Sequence, residues 1–187
     1  MTIIGITGTL GSGKGTVVQY LKDKYGFRHY SARAFISEEV SRRNLPDIRD
    51  NLRLVANELR TNFGSSYVAE QLYGRALKDG KNSVIESLRS TGEITALRTK
   101  PQSFFLLAVD ADSKIRYDRI FLRKSSTDAV SFEKFLQDES YEMNDTSPGG
   151  MNIAECIKMA DGHIKNNGDI KSLHEQIDRL VEPLLQE

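Results

Sequence analysis

A short apolar run, Ile3-Ile4-Gly5-Ile6, leads into Gly8-Thr9-Leu10-Gly11-Ser12-Gly13-Lys14-Gly15-Thr16 and then into an amphipathic segment. No other stretch restricts the fold as strongly. β-Branched residues bounded by glycine suit a buried strand, and Val17, Val18, Leu21 and Tyr25 recur at helical spacing. The order is therefore strand, glycine loop, helix. Glycines let the backbone curl until successive N–H groups point inward, and a helix starting near Gly13 adds the positive end of its dipole. Such a loop is built for a phosphate chain, with Lys14 as a point charge for its outer phosphates. The residue directly after the lysine is Gly15, and the first hydroxyl, Thr16, comes one position later than the strict phosphate-loop pattern expects for holding Mg²⁺.

The chain has 187 residues, enough for one domain with a real core. Lys plus Arg and Asp plus Glu number 26 each, so no global field draws it to nucleic acid or membrane. Any anion must be met by local clusters. The lone cysteine, Cys156, excludes an internal disulfide and fits a reducing compartment, and beside Ile153 and Ile157 it reads as a packing residue. His29, His163 and His174 lack metal-ligand spacing. No apolar run approaches the ~20 residues of a membrane span. The expectation is a cytoplasmic protein, monomeric or a weak homodimer, with small molecules rather than nucleic acid or membrane as partners.

Beyond the first helix, Phe27 to Tyr30 reads as a second strand, with Ser31 as the N-cap of a helix through Ala34, Ile36 and Val40. A helix from Ile48 to Phe63 follows, with Leu52, Val55, Ala56, Leu59 and Phe63 inward, then one from Ser66 to Asp79 with Val68, Leu72, Ala76 and Leu77 inward. Ser83 to Ile85 is a third strand, and a short helix opens at Thr91. Phe104 to Val109 is almost wholly apolar, as in a strand covered on both faces. Helices from Ser113 to Arg123, around Phe132 to Leu136 and from Ala154 to Ala160 precede a short fifth strand at His163 to Lys165. A last helix carries a stripe from Ile170 to Leu184. Strands alternating with helices predict an α/β three-layer fold with a mostly parallel five-stranded sheet.

Ligands in such folds bind beyond the carboxyl ends of the strands, and phosphoryl transfer needs cations there. Glu86 and Arg89 follow the third strand: Glu86 suits a water on Mg²⁺, and Arg89 an acceptor's phosphate. Helix-capping acid and surface arginine are the plainer roles. Arg116, Arg119 and Arg123 share one helical side. For Arg116 a solvated face paired with Asp112 is the expected role, while Arg119 and Arg123 suit adenine stacking and neutralisation of transferred charge. Arg49, Arg53 and Arg60 lie between the second and third strands, where an acceptor would bind, or simply on an exposed helical face.

With these residues in view, nearly the whole chain resembles the P-loop kinases, in the branch of nucleoside monophosphate kinases of adenylate kinase type and dephospho-CoA kinases. Gly-x-x-Gly-x-Gly-Lys-Gly-Thr is similar to the adenylate kinase loop. Glu86-Ser87-Leu88-Arg89 resembles a shortened Asp-Gly-x-x-Arg with Glu and Ser for Asp and Gly. Ala160-Asp161 through Asn166-Asn167-Gly168 is similar to the closing pattern of dephospho-CoA kinases.

The resemblance implies ATP and Mg²⁺. Lys14, Arg89, Arg119 and Arg123 would be catalytic. Gly8 through Thr16, Arg119, Asn167 and Gly168 would hold nucleotide, and Thr16 and Glu86 the metal, largely through water. Ser31, Arg33, Arg49, Arg53, Arg60 and Arg89 would meet the acceptor, with a flap at about residues 34–64 and a lid at about 124–150 on a single domain. Both branches usually carry an aspartate after the second strand, where this chain reads Ser31-Ala32-Arg33-Ala34. An arginine binds an anion but is no base, which points to a phosphate acceptor, a nucleoside or deoxynucleoside monophosphate, ahead of a sugar hydroxyl as in dephospho-CoA kinase. Likeness to the kinase-like module beside some deoxycytidylate deaminase domains raises deoxynucleotides, although no zinc-ligand motif is present. A non-catalytic nucleotide switch is the reading from another class.

Overall fold

The computed structural model describes residues 1–122, 131–144 and 150–186, with the side chain of Arg49 outside that set. Strand β1 (Thr2–Gly8) is buried along its whole length. It is followed by α1 (Lys14–Tyr25), β2 (Arg28–Ser31), α2 (Ala32–Arg42), α3 (Arg49–Phe63), α4 (Tyr67–Asp79) and β3 (Ser83–Glu86). Then come α5 (Thr91–Arg98), β4 (Ser103–Asp110), α6 (Ser113–Leu122), α7 (Phe132–Met143), α8 (Ile153–Lys158), β5 (Gly162–Lys165) and α9 (Ile170–Val181). The chain ends in a 3₁₀ turn, Glu182–Leu185, where Pro183 withholds the N–H that a continuing helix needs.

The sheet runs β2-β3-β1-β4-β5 with every described pairing parallel. Alternation along β1 sends Ile4 and Ile6 to one face, where Val17, Leu21 and Ile177 of α1 and α9 cover them. Ile3 faces the other side with Ile85 and Leu106, under helices that include α2 through α5 and α8. Three layers result. Because β1 sits between β3 and β4 while the chain leaves it for β2, its carboxyl end is the point where the strand order reverses.

Three expected core residues lie outward: Phe63, Leu77 and Ile170 are 61%, 40% and 55% exposed. Each sits in a terminal turn of its helix, where the apolar stripe continues in sequence after its packing partner has ended. Phe63 instead stacks on Tyr67, ring centroids 4.6 Å apart. Cys156 is fully buried, as expected of a packing residue, and burial pushes its thiol up to about 12.

Arg116 differs from its expected role on a solvated face. Its side chain is buried and paired with Glu139 of α7 through both terminal nitrogens, the Nη2–Oε2 bond being 3.0 Å. Nε donates to the Ala111 carbonyl at 2.6 Å and Nη1 to the Leu10 carbonyl at 3.3 Å. With Asp112 it shares only a backbone bond, from Arg116 N–H to the Asp112 carbonyl. A guanidinium is kept in such a place only when its donors are met.

Arg116→Ala therefore strands Glu139 and should lower stability by about 3–5 kcal/mol, read as a reduced urea midpoint with an unchanged slope. Lys114→Ala, which removes an exposed pair with Asp118, should cost less than about 0.5 kcal/mol. Equal losses in the two variants would contradict a buried structural role for Arg116.

Candidate active site

The glycine loop turns between β1 and α1, and Gly13 holds the left-handed conformation at φ 98° that lets α1 begin there. A Cβ on Gly13 would collide with the Asn166 side-chain amide, so glycine is needed for contact as well as conformation. Asn166 Nδ2 donates to the Ser12 carbonyl at 2.8 Å, and its N–H donates to the Asp110 carbonyl at 2.7 Å. Thr9 Oγ1 donates to Asp110 Oδ1 at 2.6 Å. The Lys14 ammonium is held at the Gly8 and Thr9 carbonyls, at 2.9 and 2.7 Å. Thr9, Gly11, Ser12 and Gly13 are buried, whereas Leu10, Gly15 and Thr16 are exposed. The loop is thus braced from β4, α6 and the end of β5.

Arg119 joins this bracing. Nη2 donates to the Asn166 carbonyl at 3.0 Å, while Nη1 is buried with no hydrogen-bond partner among the described residues. An unmet guanidinium nitrogen beside the loop is ready for an anionic oxygen.

Parallel pairing sets Ser31 of β2 opposite Glu86 of β3. Glu86 lies 2.9 Å from His29 Nε2, and that hydrogen bond holds its carboxyl below the ordinary carboxylate range. The positive charges of Lys14 and Arg89 help, against burial. Glu86 therefore stays ionised within the field of both cations. Next, Ser87 adopts φ 74°, rare for a residue with a side chain, as the N–H groups of Ser87 and Leu88 both turn onto the Ile6 carbonyl.

The Arg89 and Ser90 N–H groups donate to Glu93 Oε2 at 2.8 and 2.9 Å, and Ser90 Oγ accepts from the Glu93 N–H, completing a capping box on α5. Burial raises the Glu93 pKa, opposed by these bonds and by the charge of Arg60. Arg60, half-buried, is pushed below its ordinary value mainly by burial, and it feels Glu93 as a favourable and Arg89 as an unfavourable neighbour. Glu93 thus holds the Arg89 backbone and feels the charge of Arg60. Arg89 Nη1 itself reaches the Met151 sulfur at 3.5 Å and Glu142 at 3.7 Å.

Other expected site residues lie apart. Ser31 Oγ accepts from the Ala34 N–H and caps α2, and Arg33 is exposed, lining an open hollow with Ser31, Ser37 and Ser41. Arg53 is exposed on α3. Asn167 Oδ1 accepts from the Asp112 N–H at 2.9 Å, so of the two neighbouring asparagines Asn166 is the one against the loop. Gly168 is exposed beyond it. Arg123, the Arg49 side chain and lid residues 124–130 and 145–149 fall outside the described residues. Among the described residues no three His, Cys, Asp or Glu side chains cluster as a metal cage.

Sequence reasoning missed His29, Glu93, Asp110, Glu142 and Asn166 as contributors. Two had a signal. Ser90-x-x-Glu93 is a capping-box spacing, and alternation from Ile164 puts Asn166, not Asn167, on the inner side of the continuing strand.

The model of the AAA domain family matches residues 4–143. A UPF0200 protein of Pyrococcus abyssi is 30% identical over 98% of this chain and 97% of its own, and one of Pyrobaculum aerophilum is 30% identical over 97% of each. Among solved structures, the chain is similar to shikimate kinase from Bacteroides thetaiotaomicron (TM-score 0.61, 15% identity, 98% of each chain). It is similar also to dephospho-CoA kinase from Campylobacter jejuni (TM-score 0.60, 15% identity, 100% of this chain and 98% of the other). These two likenesses are of fold. With a family model covering most of its length and near-complete overlap with these relatives, the chain belongs to the AAA domain family and to the UPF0200 proteins, and it has the fold of P-loop kinases.

Proposed function

We propose that the chain is an ATP-dependent kinase passing a phosphoryl group to a small phosphorylated acceptor, a nucleoside or deoxynucleoside monophosphate. The observation that carries this reading is a second cation, Arg89, just beyond the carboxyl end of β3 with a sulfur as its one side-chain hydrogen-bond partner among the described residues, and with Arg60 near enough to feel its charge. Donor and acceptor anions would then each have a cation of their own, which in-line transfer requires. Lys14 would exchange its loop carbonyls for the β- and γ-phosphates, and Arg119 would offer its unmet nitrogen. Arg123 and the Asn167-Gly168 turn belong to the same proposed nucleotide side.

The residues present fit Mg²⁺. This ion keeps several waters and needs only one or two protein oxygens besides phosphate, and Glu86, whose carboxyl the His29 hydrogen bond holds below its ordinary range, would supply one, with the Thr16 hydroxyl as the other. Bound Mg²⁺ would supply charge neutralisation between donor phosphates. Residues 34–64 would form the acceptor flap and 124–150 the lid, and their approach would exclude water.

Transfer to a sugar hydroxyl, as by a dephospho-CoA kinase, is served less well. Ser31 is spent capping α2, and the strand end that usually carries an aspartate has none. A phosphate acceptor is already a nucleophile near neutral pH and needs no strong base.

ADP release from Mg-ATP, measured across ribo- and deoxynucleoside monophosphates and dephospho-CoA, should be stimulated by a monophosphate. Lys14→Ala should lower the stimulated rate by about 10²–10³-fold with thermal unfolding little changed. Full activity in Lys14→Ala would overturn the assignment, stimulation by dephospho-CoA alone would transfer it to that reaction, and ATP binding without any stimulation would favour a nucleotide switch.

Arg60→Ala and Arg89→Ala should each raise the acceptor KM by about 10–100-fold, the worth of a charged hydrogen bond to phosphate, leaving the KM for ATP within about threefold. Arg33→Ala and Arg53→Ala should leave both constants within about threefold, since exposed side chains away from Arg60 and Arg89 hold no fixed partner. Equal losses at all four would place the acceptor along the outer faces of α2 and α3 instead.

A further inference from the structure

Two of the carboxylates of helix α7, Glu139 and Glu142, lie three residues apart and so on one side of the helix. Each faces an arginine, and the two pairs are unlike. Glu139 grips buried Arg116 through both terminal nitrogens, and Arg116 also reaches the Leu10 carbonyl of the phosphate loop. Glu142 lies 3.7 Å from Arg89 Nη1, beyond hydrogen-bond distance, with the two side chains 23% and 36% exposed.

The remaining side-chain hydrogen bond of Arg89, among the described residues, goes to the Met151 sulfur, a weak acceptor. A guanidinium has five N–H donors, so most of this one is uncommitted. Its charged surroundings are Arg60, which repels it, Glu86, whose carboxyl feels its charge, and Glu142. The buried Glu93 carboxylate holds the Arg89 backbone. Glu142 is the acid that touches its side chain from outside.

We propose that Glu142 is an autoinhibitory occupant of the acceptor-anion subsite, resting its carboxylate on Arg89 until a phosphate group displaces it. This rests on the reading of Arg89 as the acceptor's anion ligand. A carboxylate and a phosphate compete for the same fork of donors, but phosphate brings more charge and a third oxygen, so it wins against a loose pair. The pair is loose for a mechanical reason. Glu139 pins α7 through Arg116, so Glu142 can swing away by side-chain rotation while the helix stays in place. The same pin fastens the helix to the phosphate loop, placing the occupant of the acceptor side on an element anchored at the nucleotide side.

The test is titration calorimetry of inorganic phosphate into the full-length protein with saturating Mg²⁺ and a non-hydrolysable ATP analogue, so that the phosphate loop is already filled. Glu142→Gln should tighten phosphate binding by about two- to fivefold, the range a partly exposed ion pair carries. Glu133→Gln, an exposed carboxylate in the first turn of α7, should leave it unchanged. Arg89→Ala should weaken it at least tenfold and remove the gain of Glu142→Gln when the two are combined.

The proposal is overturned if Glu142→Gln binds no tighter than the parent, if Glu133→Gln matches it, if the gain persists without Arg89, or if none of these proteins binds phosphate. The readout separates this proposal from the kinase assignment. A gain in phosphate affinity without acceptor-stimulated ADP release leaves the contact standing and the reaction wrong; stimulated release without the gain does the reverse.

Discussion

The phosphate loop must curl tightly between β1 and α1, with Gly8, Gly11 and Gly13 at positive φ, and the rest of the structure is arranged around that requirement. Curling the backbone this way turns its carbonyls outward, where they too need partners. The Gly8 and Thr9 carbonyls take the Lys14 ammonium, Leu10 takes Arg116, and Ser12 takes Asn166. Thr9 also leans on Asp110 through its hydroxyl. These partners come from α1, α6, the turn after β5 and the end of β4, so no single neighbouring element fixes the loop. The strand order makes the convergence possible, because β1 lies at the centre and β4 leads both to α6 and, by pairing, to β5.

The same order explains how much was legible in advance. The loop, the alternation of strands and helices and the strand-end position of Glu86 and Arg89 are local patterns, each written within ten or so residues. Cys156 as a packing residue follows from its apolar neighbours. What escaped is set by contacts between distant segments. His29 and Glu86 meet because β2 and β3 pair in parallel, and neither residue announces the other. Phe63, Leu77 and Ile170 continue their helical stripes, yet the stripe does not say where the covering surface ends.

Arg116 is the most instructive of these. Its spacing to Arg119 places the two on one side of α6, and a solvated face with Asp112 is the role its local sequence suggests, because nothing near it in the chain announces Glu139. The structure divides them by how fully each guanidinium is satisfied. Arg116 has two carbonyls and a bidentate carboxylate and is 6% exposed at its side chain. Arg119 has one carbonyl and a buried nitrogen without a partner among the described residues. Arg89 has a sulfur and a distant carboxylate. A saturated guanidinium is structure, since moving it would strand its partners, whereas an under-met one costs free energy that an incoming anion restores.

That gradient follows distance from the loop's own bracing. Arg116 supports the loop carbonyl directly, Arg119 supports it through Asn166, and Arg89 has no part in it. Charge is therefore held firmly where the fold needs it and loosely where a ligand would have to be exchanged. The buried Glu93 shows the opposite arrangement on the same principle. Its Oε2 accepts from both the Arg89 and Ser90 N–H groups, and the charge of Arg60 works against the burial that raises its pKa. Arg60 feels Arg89 as an unfavourable neighbour, and a dianion held by both would relieve that repulsion and gain two attractions at once. Under the proposed reading of Arg89 as the acceptor's anion ligand, this is the physical reason to expect a doubly charged acceptor ahead of a neutral one.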